Sequence, residues 1–190
     1  MILKRIFYKY LLLILDLKKG INYMSDINKT IDADIVYTGY FARMKDYISI
    51  GFKRFIRVSL YNPKFVYSSN LIKPCTDILV KGKDGNIKPL ELYPDKDTLL
   101  LIKRDENYSE YMINYSHQLE LFDPLSVYEE LKGSILLCYE KYGDFCHRNL
   151  ISFWLNSNGY KSCEYIIPND FRDSSNNNSK NIMSKEIFEM

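Results

Sequence analysis

Residues 134–167 read SILLCYEKYGDFCHRNLISFWLNSNGYKSCEYII. The opening run, Ser134 to Glu140, is almost continuously apolar and lies between Gly133 and Gly143, so it is too short for a helix. A strand that is apolar on both faces belongs in the middle of a parallel sheet covered on both sides. Asp144 is a natural cap for the helix that follows, whose apolar stripe is Leu150, Phe153, Trp154 and Leu155 and whose stop is Gly159. The last run, KSCEYII, reads as a second strand. Strand, helix and strand within about thirty residues make a βαβ unit, so these two strands are predicted to be parallel and adjacent or one position apart. The expected fold class is therefore α/β: a single domain with a mainly parallel sheet flanked by helices and a C-terminal βαβ unit.

Upstream signals agree with this class. DIVYTGY, residues 34–40, is β-branched and aromatic and reads as the first strand. Phe41, Met44, Tyr47 and Ile48 then follow helical spacing, and Gly51 is a natural stop. FKRFIRVSLY, residues 52–61, is a second strand that ends where Pro63 forces its predecessor out of helix. From 64 to 103 the pattern is broken by Pro74, Pro89, Pro94 and the turn signals KDGN and YPDKD, which predicts a loop with short helices or an inserted hairpin. Tyr108, Tyr111, Met112, Tyr115 and Leu119 mark a good helix. Another begins with Asp123 as cap and Pro124 at the first helical position, and ends at Gly133.

The chain has 190 residues, enough for one domain with a core that needs no staples. Its apolar fraction of 46% and charged fraction of 26% are those of an ordinary globular protein rather than a disordered one. A net charge of +2 gives no field that argues for nucleic acid, so any polyanion needs a local patch. Residues 1–30 read as an N-terminal extension, with Met24 as a plausible true start, residues 31–168 as the α/β domain, and the asparagine-rich 169–190 as a disordered tail. The apolar run Leu11 to Leu15 falls far short of the roughly 20 residues that span a bilayer. No small-residue cleavage site follows it, so neither stable membrane insertion nor export is expected. Four cysteines without a CxxC pair suit reduced thiols in a cytoplasm.

The chemistry concentrates in GDFCHRNL, residues 143–150, where a thiol, an imidazole and a guanidinium are successive. In a parallel sheet, ligands bind outside the carboxyl ends of strands, where loops enter helix N-termini. With Asp144 as cap, Cys146 and Arg148 fall in the first turn, whose open N–H groups favour an anion. Arg148 suits a bidentate grip on phosphate or carboxylate. The dipole and Arg148 favour the Cys146 thiolate, with His147 or Glu140 as proton carrier. The expected pocket takes a phosphorylated or nucleotide-like anionic small molecule, with Cys146, His147 and Glu140 as catalytic groups and Arg148, Thr38, Gly39 and Tyr40 as ligand-binding ones. Cys138, Cys75 and Cys163 read as packing residues, and His117 as incidental. A zinc set of Cys138, Cys146, His147 and Cys163 can be drawn, but the seven-residue gap between Cys138 and Cys146 does not resemble known ligand spacing. No metal and no cofactor is expected, and no phosphate loop, GxGxxG, HExxH or GxSxG is present. The alternative is a non-catalytic nucleic-acid module, using Lys53, Arg54, Arg57 and Lys64 interleaved with Phe52, Phe55 and Tyr61.

ILLCYEKYGDFCHRNLISFWLNSNGYKSCEYI resembles the C-terminal signature of the domain of unknown function 488 (DUF488) family, in which an LLCYE strand leads into CHR, an amphipathic helix and a strand carrying a glutamate. IVYTGYF and IRVSLYNPKF are similar to its first two strands, and residues 108–131 to its central helices. The resemblance spans about residues 35–167 and departs in the middle, where LIKPCTDILVKGKDGNIK replaces a tryptophan-containing segment. It implies a single α/β domain, and places family positions at Cys138, Glu140, Cys146, His147, Arg148, Thr38 and Gly39. It implies no particular activity.

Overall fold

A computed structural model describes residues 31–61, 63 and 71–167. Its strands are β1 (Val36–Tyr40), β2 (Phe55–Arg57), β3 (Ile72–Pro74), β4 (Leu79–Lys81), β5 (Ile87–Pro89), β6 (Ile135–Cys138) and β7 (Ser162–Glu164). Its α-helices are α1 (Met44–Ile50), α2 (Lys96–Asp105), α3 (Tyr108–Leu119), α4 (Pro124–Leu131) and α5 (His147–Ser157). The extension expected over 1–30, the start at Met24 and the tail expected over 169–190 lie outside the described residues.

The apolar run 135–138 becomes the centre of the molecule. The main sheet has the order β3-β2-β6-β1-β7, and every pairing in it is parallel. β6 is thus bonded on both edges, and all four of its residues are buried. Alternation sends Ile135 and Leu137 to one face and Leu136 and Cys138 to the other. The first pair packs with Tyr37, Phe41, Met44, Tyr47, Phe52 and Phe55, under α1. The second pair packs beneath α3, α4 and α5 through residues such as Tyr111, Tyr115, Leu131, Leu150 and Leu155. The expected βαβ unit is β6-α5-β7, with β1 between its strands, so they are one position apart.

The start of α4 and the end of α1 follow their capping signals. The Asp123 carboxylate accepts from the Ser126 N–H at 3.2 Å, with Pro124 in the first helical position. α1 stops at Gly51, whose φ of 114° is left-handed. Of the expected stripe, Phe41, Met44 and Tyr47 are buried, whereas Ile48 is 42% exposed. A 3₁₀ turn, Phe41–Arg43, opens the helix, so a three-residue spacing carries Phe41, Met44 and Tyr47 inward.

The irregular middle holds the hairpin β4-β5, turning through Asp84 and Gly85, with the Asp84 carboxylate accepting from the Asn86 N–H at 3.1 Å. It also holds β3, a strand of the main sheet in a segment that reads as loop. Three residues ending in proline at a sheet edge leave little trace in a sequence. Among the described residues no helix is long and apolar enough to cross a membrane.

Gly39, expected to approach a ligand, instead makes room for a core ring. A Cβ there would sit 2.7 Å from the Tyr47 hydroxyl oxygen and 2.9 Å from Ile135 Cδ1. Gly39→Ala is therefore expected to cost about 1–3 kcal/mol as an overpacking change, read as a lower urea midpoint at unchanged slope. An unaltered midpoint would contradict the close approach.

Candidate functional site

The sheet offers a site where its connections diverge. β1 leads through α1 on one face to β2, whereas β6 leads through α5 on the other face to β7. The carboxyl ends of β1 and β6 therefore flank a topological switch point, the usual crevice of open α/β sheets.

At the end of β6, Cys138 lies on the α5 side. The chain leaves through Tyr139 and Glu140, turns, and enters α5 at His147. The cap is Cys146, not Asp144: Cys146 is extended (φ −152°, ψ 143°), and its carbonyl accepts from the Asn149 N–H at 3.0 Å. Asp144 belongs to the preceding turn, where its N–H donates to the Lys141 carbonyl at 3.3 Å. Moving the cap two residues onward moves Cys146 out of the first helical turn. Its sulfur joins the end of the strand instead.

Four side chains meet there. Glu140 Oε2 lies 3.0 Å from Cys138 Sγ and 3.0 Å from Cys146 Sγ. His147 Nδ1 lies 3.9 Å from each sulfur. Its Nε2 is 2.7 Å from the Val58 carbonyl, which can only accept, so Nε2 carries the proton and Nδ1 is left as the ring's acceptor; Cys138 Sγ also lies 3.7 Å from Nε2. Val58 is itself fixed to the central strand, its N–H donating to the Leu137 carbonyl at 3.1 Å. The Tyr115 ring stands edge-on to the imidazole with centroids 5.6 Å apart, and its hydroxyl donates to the Leu92 carbonyl at 2.6 Å. Cys138, Cys146 and His147 are buried, and Glu140 is partly exposed.

The electrostatics are uneven. Burial pushes the Cys146 thiol up, but the Cys138 thiol beside it, the His147 ring and the Arg148 guanidinium outweigh that and hold it well below the ordinary range. Cys138 is driven well up, first by its hydrogen bond with Cys146 and then by burial. Burial also raises Glu140. For His147, burial works against the charged ring, yet Cys146 and the Val58 carbonyl raise it overall. The neighbours thus favour the anionic form of Cys146 and the protonated form of His147.

The remaining expected ligand-binding residues serve the frame. Arg148 is fully buried: Nε and Nη2 donate to Glu164 Oε1 at 3.2 and 2.7 Å, Nη1 to the Glu140 carbonyl at 2.5 Å, and Nη2 to the Lys141 carbonyl at 3.0 Å. Its nitrogens are committed to the fold rather than turned to a ligand. Tyr40 is buried, with Arg148 6.0 Å above its ring and its hydroxyl accepting from Arg43 Nε at 3.0 Å. Thr38 is buried between Leu136 and Glu164 in register, and its Oγ1 has no hydrogen-bond partner. Cys163 is exposed on β7, so the four-residue zinc set does not assemble, but Cys138, Cys146 and His147 bring their ligand atoms within 4.8 Å of one another. Phe52 and Phe55, offered as stacking rings for nucleic acid, are core residues, and Arg54 lies 3.9 Å from Glu130. Lys64 lies outside the described residues.

Sequence reasoning read Cys138 as a packing residue and set aside the zinc set that contained it, and it did not find Val58, Tyr115 or Glu164 as parts of this arrangement. The signal for Cys138 was the two-residue spacing to Glu140, which puts both on one side of the extended chain. Val58 acts through its carbonyl and leaves no signature.

Arg148 with Glu164 tests the frame directly. Removing one partner of a buried pair costs about 3–5 kcal/mol. Glu164→Gln is expected near 3 kcal/mol, the lower end of that range, because its side chain is still 18% exposed. Denaturant unfolding checks this, and an unchanged midpoint would contradict it. Comparison with known protein families, curated proteins and solved structures found no match.

Proposed function

We propose that the protein is a small-molecule enzyme whose anionic ligand docks outside the carboxyl ends of β1 and β6. The observation that carries this reading is the convergence of Cys138, Glu140, Cys146 and His147 at the point where the crossovers part. A soft nucleophile, an imidazole in reach of it and a third group orienting the imidazole form the arrangement that covalent catalysis needs. Cys146 is the nucleophile, His147 the proton carrier held by Val58, and Glu140 the partly exposed acid that meets the ligand. The anionic handle is not Arg148. Open N–H groups at the start of α5 favour negative charge. Arg43, three residues past β1 and in contact with the Tyr40 hydroxyl and Asp46, and Arg57, the last residue of β2, are partly exposed cations at the same edge.

A ligand panel on the reduced full chain tests this. Inorganic phosphate and adenosine monophosphate are expected to raise the melting temperature in a saturable way, and neutral adenosine is not. At a hundredfold excess over Kd the stabilisation should approach ~2.7 kcal/mol. Arg43→Ala and Arg57→Ala should each weaken the response. No shift with either phosphate compound, or an equal shift with adenosine, would overturn the anionic reading.

A further inference from the structure

We propose that Cys138, Cys146 and His147 hold one soft divalent cation, zinc in the first instance, with Glu140 closing the coordination sphere. Two thiolates and an imidazole are the donor set that selects zinc over harder ions. The two sulfurs and a ring nitrogen lie within 4.8 Å of one another.

The distances are close to those of a tetrahedral site, with two adjustments. Bonds of 2.3 Å to sulfur and about 2.0 Å to nitrogen or oxygen give a tetrahedron with edges of about 3.5–3.8 Å. His147 Nδ1 stands 3.9 Å from each sulfur, close to such an edge, but Cys138 Sγ is also 3.7 Å from Nε2, so the ring has to turn for Nδ1 to aim at the ion. Glu140 Oε2, at 3.0 Å from both sulfurs, has to back off by about half an ångström to become the fourth corner of that tetrahedron. A metal-bound histidine characteristically donates its other N–H to a carbonyl or carboxylate, which fixes its ring. His147 Nε2 does so to Val58, at 2.7 Å.

Two thiolates, a carboxylate and a divalent cation leave one net negative charge; the fully buried Arg148, next in sequence to His147, is itself paired with Glu164 at 2.7 Å. Its Nη1 holds the Glu140 carbonyl, so it also anchors the residue that would close the site. Glu140 is partly exposed and marks the side from which an ion can arrive. The spacing that argued against zinc measures only sequence distance. A strand end and a helix cap bring Cys138 and Cys146 together across a turn, which the common CxxC loop does not need. The phosphate-binding pocket proposed above does not depend on this metal: with zinc bound, Cys146 changes from nucleophile to ligand.

The test uses the reduced, chelator-stripped full chain titrated with cobalt(II). One equivalent is expected to give a sulfur-to-cobalt charge-transfer band with the intense visible absorption of a tetrahedral site, and one equivalent of zinc should abolish both. Cys138→Ser and Cys146→Ser should each lose the band, whereas Cys75→Ser and Cys163→Ser keep it. Should the first two variants fold poorly by circular dichroism, alkylation of the wild-type chain decides. Zinc is expected to protect Cys138 and Cys146 and to leave Cys163 labelling unchanged. No band at one equivalent, a band that survives Cys138→Ser in a folded chain, or zinc that protects neither Cys138 nor Cys146 would overturn the site. These readouts are separate from the phosphate panel, so the two proposals can fail independently.

Discussion

The structure depends on burying one short strand completely. Ile135 to Cys138 is covered above and below and bonded to β1 and β2 at its edges. An interior strand of this kind satisfies its own backbone through the sheet, but the chain that leaves it must satisfy carbonyls at the edge of the core. Arg148 does that for Glu140 and Lys141, and Glu164 on β7 balances its charge. A single guanidinium thus ties the end of the central strand, the start of α5 and the outermost strand together. Its planar fork suits the task, since it can bond two carbonyls and a carboxylate at once.

The same geometry explains why the reactive groups sit where they do. Strand alternation puts Cys138 and Glu140 on the α5 side, and the extended cap residue returns Cys146 to them. His147 is oriented by a carbonyl that belongs to the neighbouring β2 edge, through Val58, which itself hangs from Leu137. Cys138 is thus positioned by the sheet, Cys146 by the helix cap and His147 by the first turn of α5, while Glu140 stands two residues past the end of β6. Sites built on such elements hold geometry better than sites on loops.

Much of this was legible in the sequence, and the failures have physical causes. Residues 135–138, the capped α4 and the tyrosine stripe of α3 carry strong local signals that tertiary structure had no reason to override. Ile48 was misassigned because one 3₁₀ turn shifted the register toward Tyr47. β3 was invisible because edge strands of three residues have no periodicity to detect. The site was half legible. The Cys-His-Arg triplet drew notice, yet its members divide their work: Cys146 and His147 join the cluster, whereas Arg148 turns to backbone carbonyls that no side-chain pattern reveals. Cys138 looked like core because its whole strand is buried, and its two-residue spacing to Glu140 is the local signal of its second role.

The central claim is that the end of β6 gathers two sulfurs around an imidazole held by Val58. Long-range nitrogen–proton correlation NMR on the reduced, metal-free chain tests it directly, since there are only two histidines. His147 is predicted to show an Nε2–H slow to exchange with solvent and an Nδ1 resonance that moves in Cys146→Ser, while the exposed His117 changes in neither respect. Two histidines that both exchange rapidly, with Nδ1 of His147 indifferent to loss of the Cys146 sulfur, would contradict the account.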